Sequence, residues 1–202
     1  GPVIARGGLL LGMLKVLRDD LAPEPGGEPT GIGYTVLAWT RDGETWHRDR
    51  EPFLDRNPEA GTWDRAMTWG DGLLPVDDEV FIYYGGYARG HKIERLTERQ
   101  IGVARLARDR YVSREAGAGG GSLRTPVASC GEAAALLVNA EVAGELRVQV
   151  LDAGGAPVAG FAAADCPPLH GASLRHRVVW KRSLASLQGQ PVQLEFLLRE
   201  AR

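Results

Sequence analysis

The sequence predicts an all-β chain organised in two successive parts. Three observations carry this. Glycine and proline are frequent, at 27 and 12 of 202 residues, whereas methionine numbers only two. Apolar residues cluster in short runs or alternate with polar ones, and few stretches hold a helical period. The runs are separated by Asp-Gly, Gly-Asp-Gly and Asp-Asp-Glu, which are turn signals.

A chain of this length buries a substantial core and forms one large domain or two small ones. Its net charge is −2 with acids and bases interspersed, so neither nucleic acid nor a membrane surface is indicated as a partner. No apolar run reaches the roughly 20 residues of a membrane-spanning helix. Cys130 and Cys166 lack metal-ligand spacing and read as free thiols rather than a pair. Gly1-Pro2 in place of an initiating Met reads as the product of a proteolytic cut, so a leader or upstream domain lies outside what this sequence reveals. Localisation stays open between cytoplasm and secretion.

Residues 3–18 form an apolar run best matched to a single buried strand, since glycines at 7, 8 and 12 each cost a helix about 1 kcal/mol. Asp19 to Gly33 reads as a loop. Tyr34 to Trp39 is a strand, and Asp42-Gly43 predicts a hairpin that folds Trp46 back onto the core. A second cycle starts at Gly61. Trp63 to Trp69 is a short strand, Gly70-Asp71-Gly72 a turn, Leu73 to Val76 a linking strand and Asp77-Asp78-Glu79 another turn. Val80 to Tyr84 and Ile101 to Leu106 are strands separated by a loop through Gly85, Gly86 and Gly90. This spacing suggests a β-propeller blade or a meander.

Gly117 to Ser122 reads as a flexible linker, dividing residues 1–116 from residues 123–202. Beyond it, 123–129, 134–142, 145–152, 157–163, 174–180 and 191–199 read as strands, the pattern of a small antiparallel β-sandwich. His170 and His176 have no matching acid or second ligand. Ser113, Ser122 and Ser173 lie in no nucleophile-elbow pattern, and there is no phosphate loop or dinucleotide fingerprint.

The stretch richest in chemistry runs from Thr62-Trp63-Asp64-Arg65 to Phe81-Ile82-Tyr83-Tyr84-Gly85-Gly86-Tyr87 and Gly90-His91-Lys92. Aromatic faces, a carboxylate and cationic donors are the groups that hold a polar ligand such as a sugar. Trp63, Asp64, Tyr84, His91 and Lys92 are therefore the candidate binding residues. The plainer reading of Asp64 is a turn cap, and that of Trp63 and Trp69 is core packing. Arg41, His47, Arg48 and Arg50 read as a solvated face.

The order TRDGETW, GTWD, DDEVFIYYGG, GHK and IGVARLARDRYVS resembles the last blades of five-bladed β-propeller glycosidases. That superfamily holds invertases, arabinanases, β-xylosidases and mannoside phosphorylases. The later SLRTPV, LLVNAEV, LRVQVLDAGGAPVAGF, DCPPL, VVWK and PVQLEFLL resemble the C-terminal sandwich of bacterial members. The resemblance implies a partial propeller of about two blades followed by a β-sandwich, with carbohydrate as partner. It places Trp63 and Asp64 near a central funnel and makes His91 a candidate for a calcium site on the propeller axis, although the spacing around His91 departs from the arabinanase-like members. His91 and Lys92 are equally candidates for binding phosphate or a sugar hydroxyl, as in the phosphorylase branch.

A blade takes about 50 residues, so five blades need on the order of 250–300, and the residues before the linker supply about two. The resemblance thus puts the main catalytic carboxylates upstream, with the missing blades or a second chain as partner. Glycoside hydrolysis uses two carboxyls about 5–10 Å apart, which Asp64 alone does not provide. The expectation is a portion of a glycoside hydrolase that is inactive by itself. The alternative is a non-catalytic carbohydrate-binding or protein-interaction module.

Overall fold

The computed structural model describes residues 1–93, 99–132 and 135–202. The chain is all-β and divides into two compact units, Gly1–Arg108 and Asp109–Arg202. Each holds one sheet, and neither sheet closes on itself. No helix among the described residues is long and apolar enough to cross a membrane.

The first unit begins with β1 (Val3–Arg6) and β2 (Leu9–Arg18), paired antiparallel from Val3↔Gly12 to Arg6↔Leu9. The run 3–18 is therefore a hairpin, which corrects the expectation of one buried strand. Gly7 turns the chain at φ +58, a conformation open to glycine at little cost. Next comes β3 (Ile32–Thr40), the central strand, with Val36, Leu37 and Ala38 all at 1 % exposure or less. Buried Thr35 is satisfied on both sides, its hydroxyl donating to the Thr68 carbonyl and accepting from the Gly70 amide.

The Asp42-Gly43 hairpin forms as the sequence predicts and leads to β4 (His47–Arg48), which pairs with Trp39 and Ala38. Asp42 Oδ1 accepts from the Thr40 hydroxyl and from the amides of Glu44 and Thr45. Those donors, Thr40 first, hold its carboxyl far below the usual range. Trp46 is not core, however. It is 42 % exposed and lies over Gly12, which offers no side chain to bury it against.

Strand β5 (Met67–Val76) joins β3 through one parallel pair, Gly33↔Met67. Gly70-Asp71-Gly72 does not interrupt it. The register shifts there by one residue, a β-bulge rather than a turn. Asp77 turns the chain at φ +50 into β6 (Glu79–Tyr87), which continues through Gly85 and Gly86 before β7 (Gln100–Ala107). The sheet order is β1-β2-β3-β5-β6-β7, with β4 beside β3. The two expected cycles thus share one hydrogen-bonded sheet.

In the second unit, residues 117–122 are not a free linker. Ala116 bridges Ala201, the Gly117 carbonyl accepts from the amides of Gly120 and Glu200, and β8 (Gly121–Arg124) pairs with the last strand. Then follow β9 (Ala128–Ser129), β10 (Leu136–Asp152), β11 (Leu169–Val178) and β12 (Pro191–Ala201), in the order β11-β10-β12-β8 with β9 on β12. The segments expected as strands 134–142 and 145–152 merge into β10, whose register shift near Gly144 absorbs the break.

Residues 157–163 were expected to be a strand. They instead form no regular strand: Pro157 bridges Leu151 of β10, Val158 and Phe161 hydrogen-bond to Val150, and a turn at Gly160 (φ +84) buries Phe161 completely among Val150, Leu187 and Val192. Single 3-10 turns at Ala163–Asp165 and Leu184–Leu187 complete the cover. Both cysteines are free, with Cys166 packed against Val148 and Val178. His170 and His176 each contact a backbone carbonyl of β10, at Gly144 and Ala140.

Candidate functional site

The approach to β5 builds the site. Gly61 (φ +80) turns the chain, the Thr62 hydroxyl donates to the Glu59 carbonyl, and the Arg65 amide donates to the Thr62 carbonyl. Trp63 and Asp64 therefore sit in a turn and not in the strand expected from Trp63 onward. The turn presses them against β6 and β7. A Cβ on Gly86 would overlap the Trp63 ring, and one on Gly102 would come 2.5 Å from the Tyr84 ring and 2.6 Å from that of Trp63. These two glycines clear the space that the aromatics fill.

Trp63 and Tyr84 stack with centroids 5.5 Å apart and planes 14° from parallel. Beside them Asp64 is only 7 % exposed. Its Oδ2 accepts a 2.9 Å hydrogen bond from the Tyr84 hydroxyl. Burial, then the bond to Asp64 and that residue's charge, push the Tyr84 phenol up to about 12. Asp64 Oδ1 is sealed from solvent and has no hydrogen-bond partner among the described residues. A carboxylate oxygen left so costs about 1–3 kcal/mol or more, so the cluster lacks a donor.

Arg65, which sequence reading left aside, anchors this turn. Its Nε and Nη2 grip both oxygens of Glu24 at 2.9 and 3.1 Å, and its Nη1 donates to the carbonyls of Asn57 and Pro58. That fork holds the Glu24 carboxyl below its usual range. No local pattern could have shown the pair, because Glu24 stands 41 residues upstream.

His91 and Lys92 fall into a second cluster with Asp19, Thr30 and Gly31. Their amides donate to the carbonyls of Gly31 and Thr30, and Lys92 Nζ donates to the carbonyls of Asp19 and Pro29 at 3.0 and 3.1 Å. The His91 ring lies 5.8 Å from Trp69, with Nδ1 3.9 Å from Asp19 Oδ1. Trp69 is itself tied down, its indole donating to the Val16 carbonyl. Lys92 thus straps the two loops together. The five expected residues divide into one cluster of three and another of two.

Among the described residues, the surroundings of His91 do not fit calcium. The ring has one carboxylate near it and a lysine next to it in sequence, and the described residues contain no group of three His, Cys, Asp or Glu able to hold an ion. The Trp63–Asp64–Tyr84 cluster contains one carboxylate. No protein-family model, curated protein or solved structure matches this chain.

Proposed function

We propose that this chain is the C-terminal portion of a glycoside hydrolase-like propeller protein, forming part of a carbohydrate-binding wall without the main catalytic carboxylates. Two things support this: the order of motifs from Asp42-Gly43 to Ser113, and the chemistry of the Trp63–Asp64–Tyr84 cluster. The observation that carries most weight is the nearly buried Asp64 carboxylate, with one oxygen bound by Tyr84 and the other lacking a donor. Aromatic faces beside a carboxylate suit a sugar ring, whose C–H face stacks while its hydroxyls donate.

The test joins the native upstream residues to this chain and measures hydrolysis of aryl glycosides. The expected result is activity carried by upstream acids. An upstream sequence without the three acidic residues expected at blade starts, or a folded longer protein that cleaves and binds no glycan, overturns the reading.

One observation favours a second reading, a protein-interaction module. Leu74, Tyr83, Ile101 and Val103 lie on neighbouring strands and share one face of β5–β7, with exposures of 50, 43, 84 and 50 %. An apolar sheet face of this kind is covered in many proteins by a further blade or another chain. Association that is lost in Ile101→Lys, with no glycan binding, favours this reading over the first.

A further inference from the structure

The second unit contains a groove of about 210 Å³ where the chain leaves β11, lined by Leu136, Arg177, Trp180, Lys181, Arg182 and Ser183 among others. Its floor is rigid. The Trp180 indole donates to the Val148 carbonyl at 2.8 Å, and the ring lies 5.7 Å from that of Phe161. Arg182 is held in place by its stem: Gly160 leaves room for it, since a Cβ there would come 2.6 Å from Cδ. Its guanidinium lies 5.6 Å over the Phe161 ring.

Arg177, Lys181 and Arg182 thus all line one groove, and its lining includes no acid. Lys181 reaches Asp165 at 2.6 Å, while Arg182 donates to the Ala159 carbonyl at 3.4 Å. Lys181 is thus paired with an acid, whereas Arg182 is held by a carbonyl and a ring face. Arg177 is exposed and its side chain makes no hydrogen bond or ion pair among the described residues. Guanidinium groups present forked donors that match carboxylate or phosphate oxygens.

The geometry points to a binding site for a small anionic ligand, a carboxylate or phosphate carried on a body no larger than a single sugar ring. Size decides the class. At about 210 Å³ the groove is below the roughly 300–1,000 Å³ typical of sites for drug-sized ligands. A sugar acid, a sugar phosphate or the charged end of a chain is of that size. The site is independent of the Trp63–Asp64–Tyr84 cluster and does not need the glycosidase reading.

The test follows amide chemical shifts of the whole protein during titration with glucuronate, inorganic phosphate and, as the neutral control, glucose. Saturable shifts confined to residues 177–184 with both anions, and none with glucose, are expected. Shifts with phosphate but not glucuronate restrict the ligand to phosphate and still support the site. Arg177→Gln, an exposed position, is expected to weaken binding about tenfold, equivalent to about 1.4 kcal/mol. Arg199→Gln, also exposed but outside the groove, is expected to leave binding unchanged. Binding is expected to weaken as salt rises. No saturable shift with either anion, equal shifts with glucose, or equal weakening by both substitutions overturns the proposal.

Discussion

At the residue scale, Asp64 and Tyr84 form a pair whose ionisation is readable. Folding favours the neutral phenol, so its contribution to stability is full below the ordinary tyrosine value near 10 and is lost as pH rises towards about 12. Asp64→Asn removes both the carboxylate acceptor and its charge while burial remains. The Tyr84 transition, followed by phenolate absorbance, is expected to fall from about 12 part of the way towards its ordinary value. An unchanged titration would show that Asp64 does not hold the phenol. Gly102→Ala drives a methyl into two aromatic rings, and overpacking of this kind costs about 1–3 kcal/mol, measurable by denaturant unfolding. Trp63, Asp64 and Tyr84 were legible in the sequence as residue types. Gly86 and Gly102 were not legible as their supports, because that role depends on contacts between distant segments.

At the element scale, turn chemistry was the readable part. Asp42-Gly43 and Asp77-Asp78 turn where their side chains and backbone preferences indicate. Gly7-Gly8 and Gly70-Asp71-Gly72 show the limit of the same reasoning. The first pair closes a hairpin inside an apolar run, and the second sits in a bulge within a continuous strand, since partner strands decide whether glycine turns a chain or bends it. Replacing Gly7 by Val places a β-branched residue at positive φ, and strain of about 1–2 kcal/mol is expected as a lower melting temperature.

Strand β12 supplies a pH-dependent contribution. Glu195 accepts from Gln149 and from Arg124, and these bonds, Gln149 first, hold its carboxyl below the usual range. A depressed carboxyl contributes its full stability above its unfolded pKa and loses it as pH falls through the folded value. Glu195→Gln is expected to flatten the acid limb of stability against pH measured below about pH 4.5, near the ordinary Glu value. A limb unchanged in slope would place the acid sensitivity in other carboxylates.

At the scale of the whole molecule, each unit has its own core and is expected to respond to damage there. Phe161 is wholly buried in the second unit, and Phe161→Ala is expected to cost about 3–5 kcal/mol. Hydrogen exchange is expected to show the loss of protection in Asp109–Arg202, and equal loss throughout Gly1–Arg108 would show that the units unfold as one. The all-β class, most strand positions and the hairpin at Asp42-Gly43 were determined by the sequence alone, because alternation, turn residues and β-propensity act over a few neighbours. Tertiary structure decided how strands were shared between sheets, that residues 121–122 belong to the second sheet, and that 157–163 keeps one bridge to β10 without forming a regular strand. It also separated His91 and Lys92 from Trp63, Asp64 and Tyr84. These outcomes depend on pairings between residues far apart in the chain, where packing and hydrogen-bond satisfaction outweigh local preference.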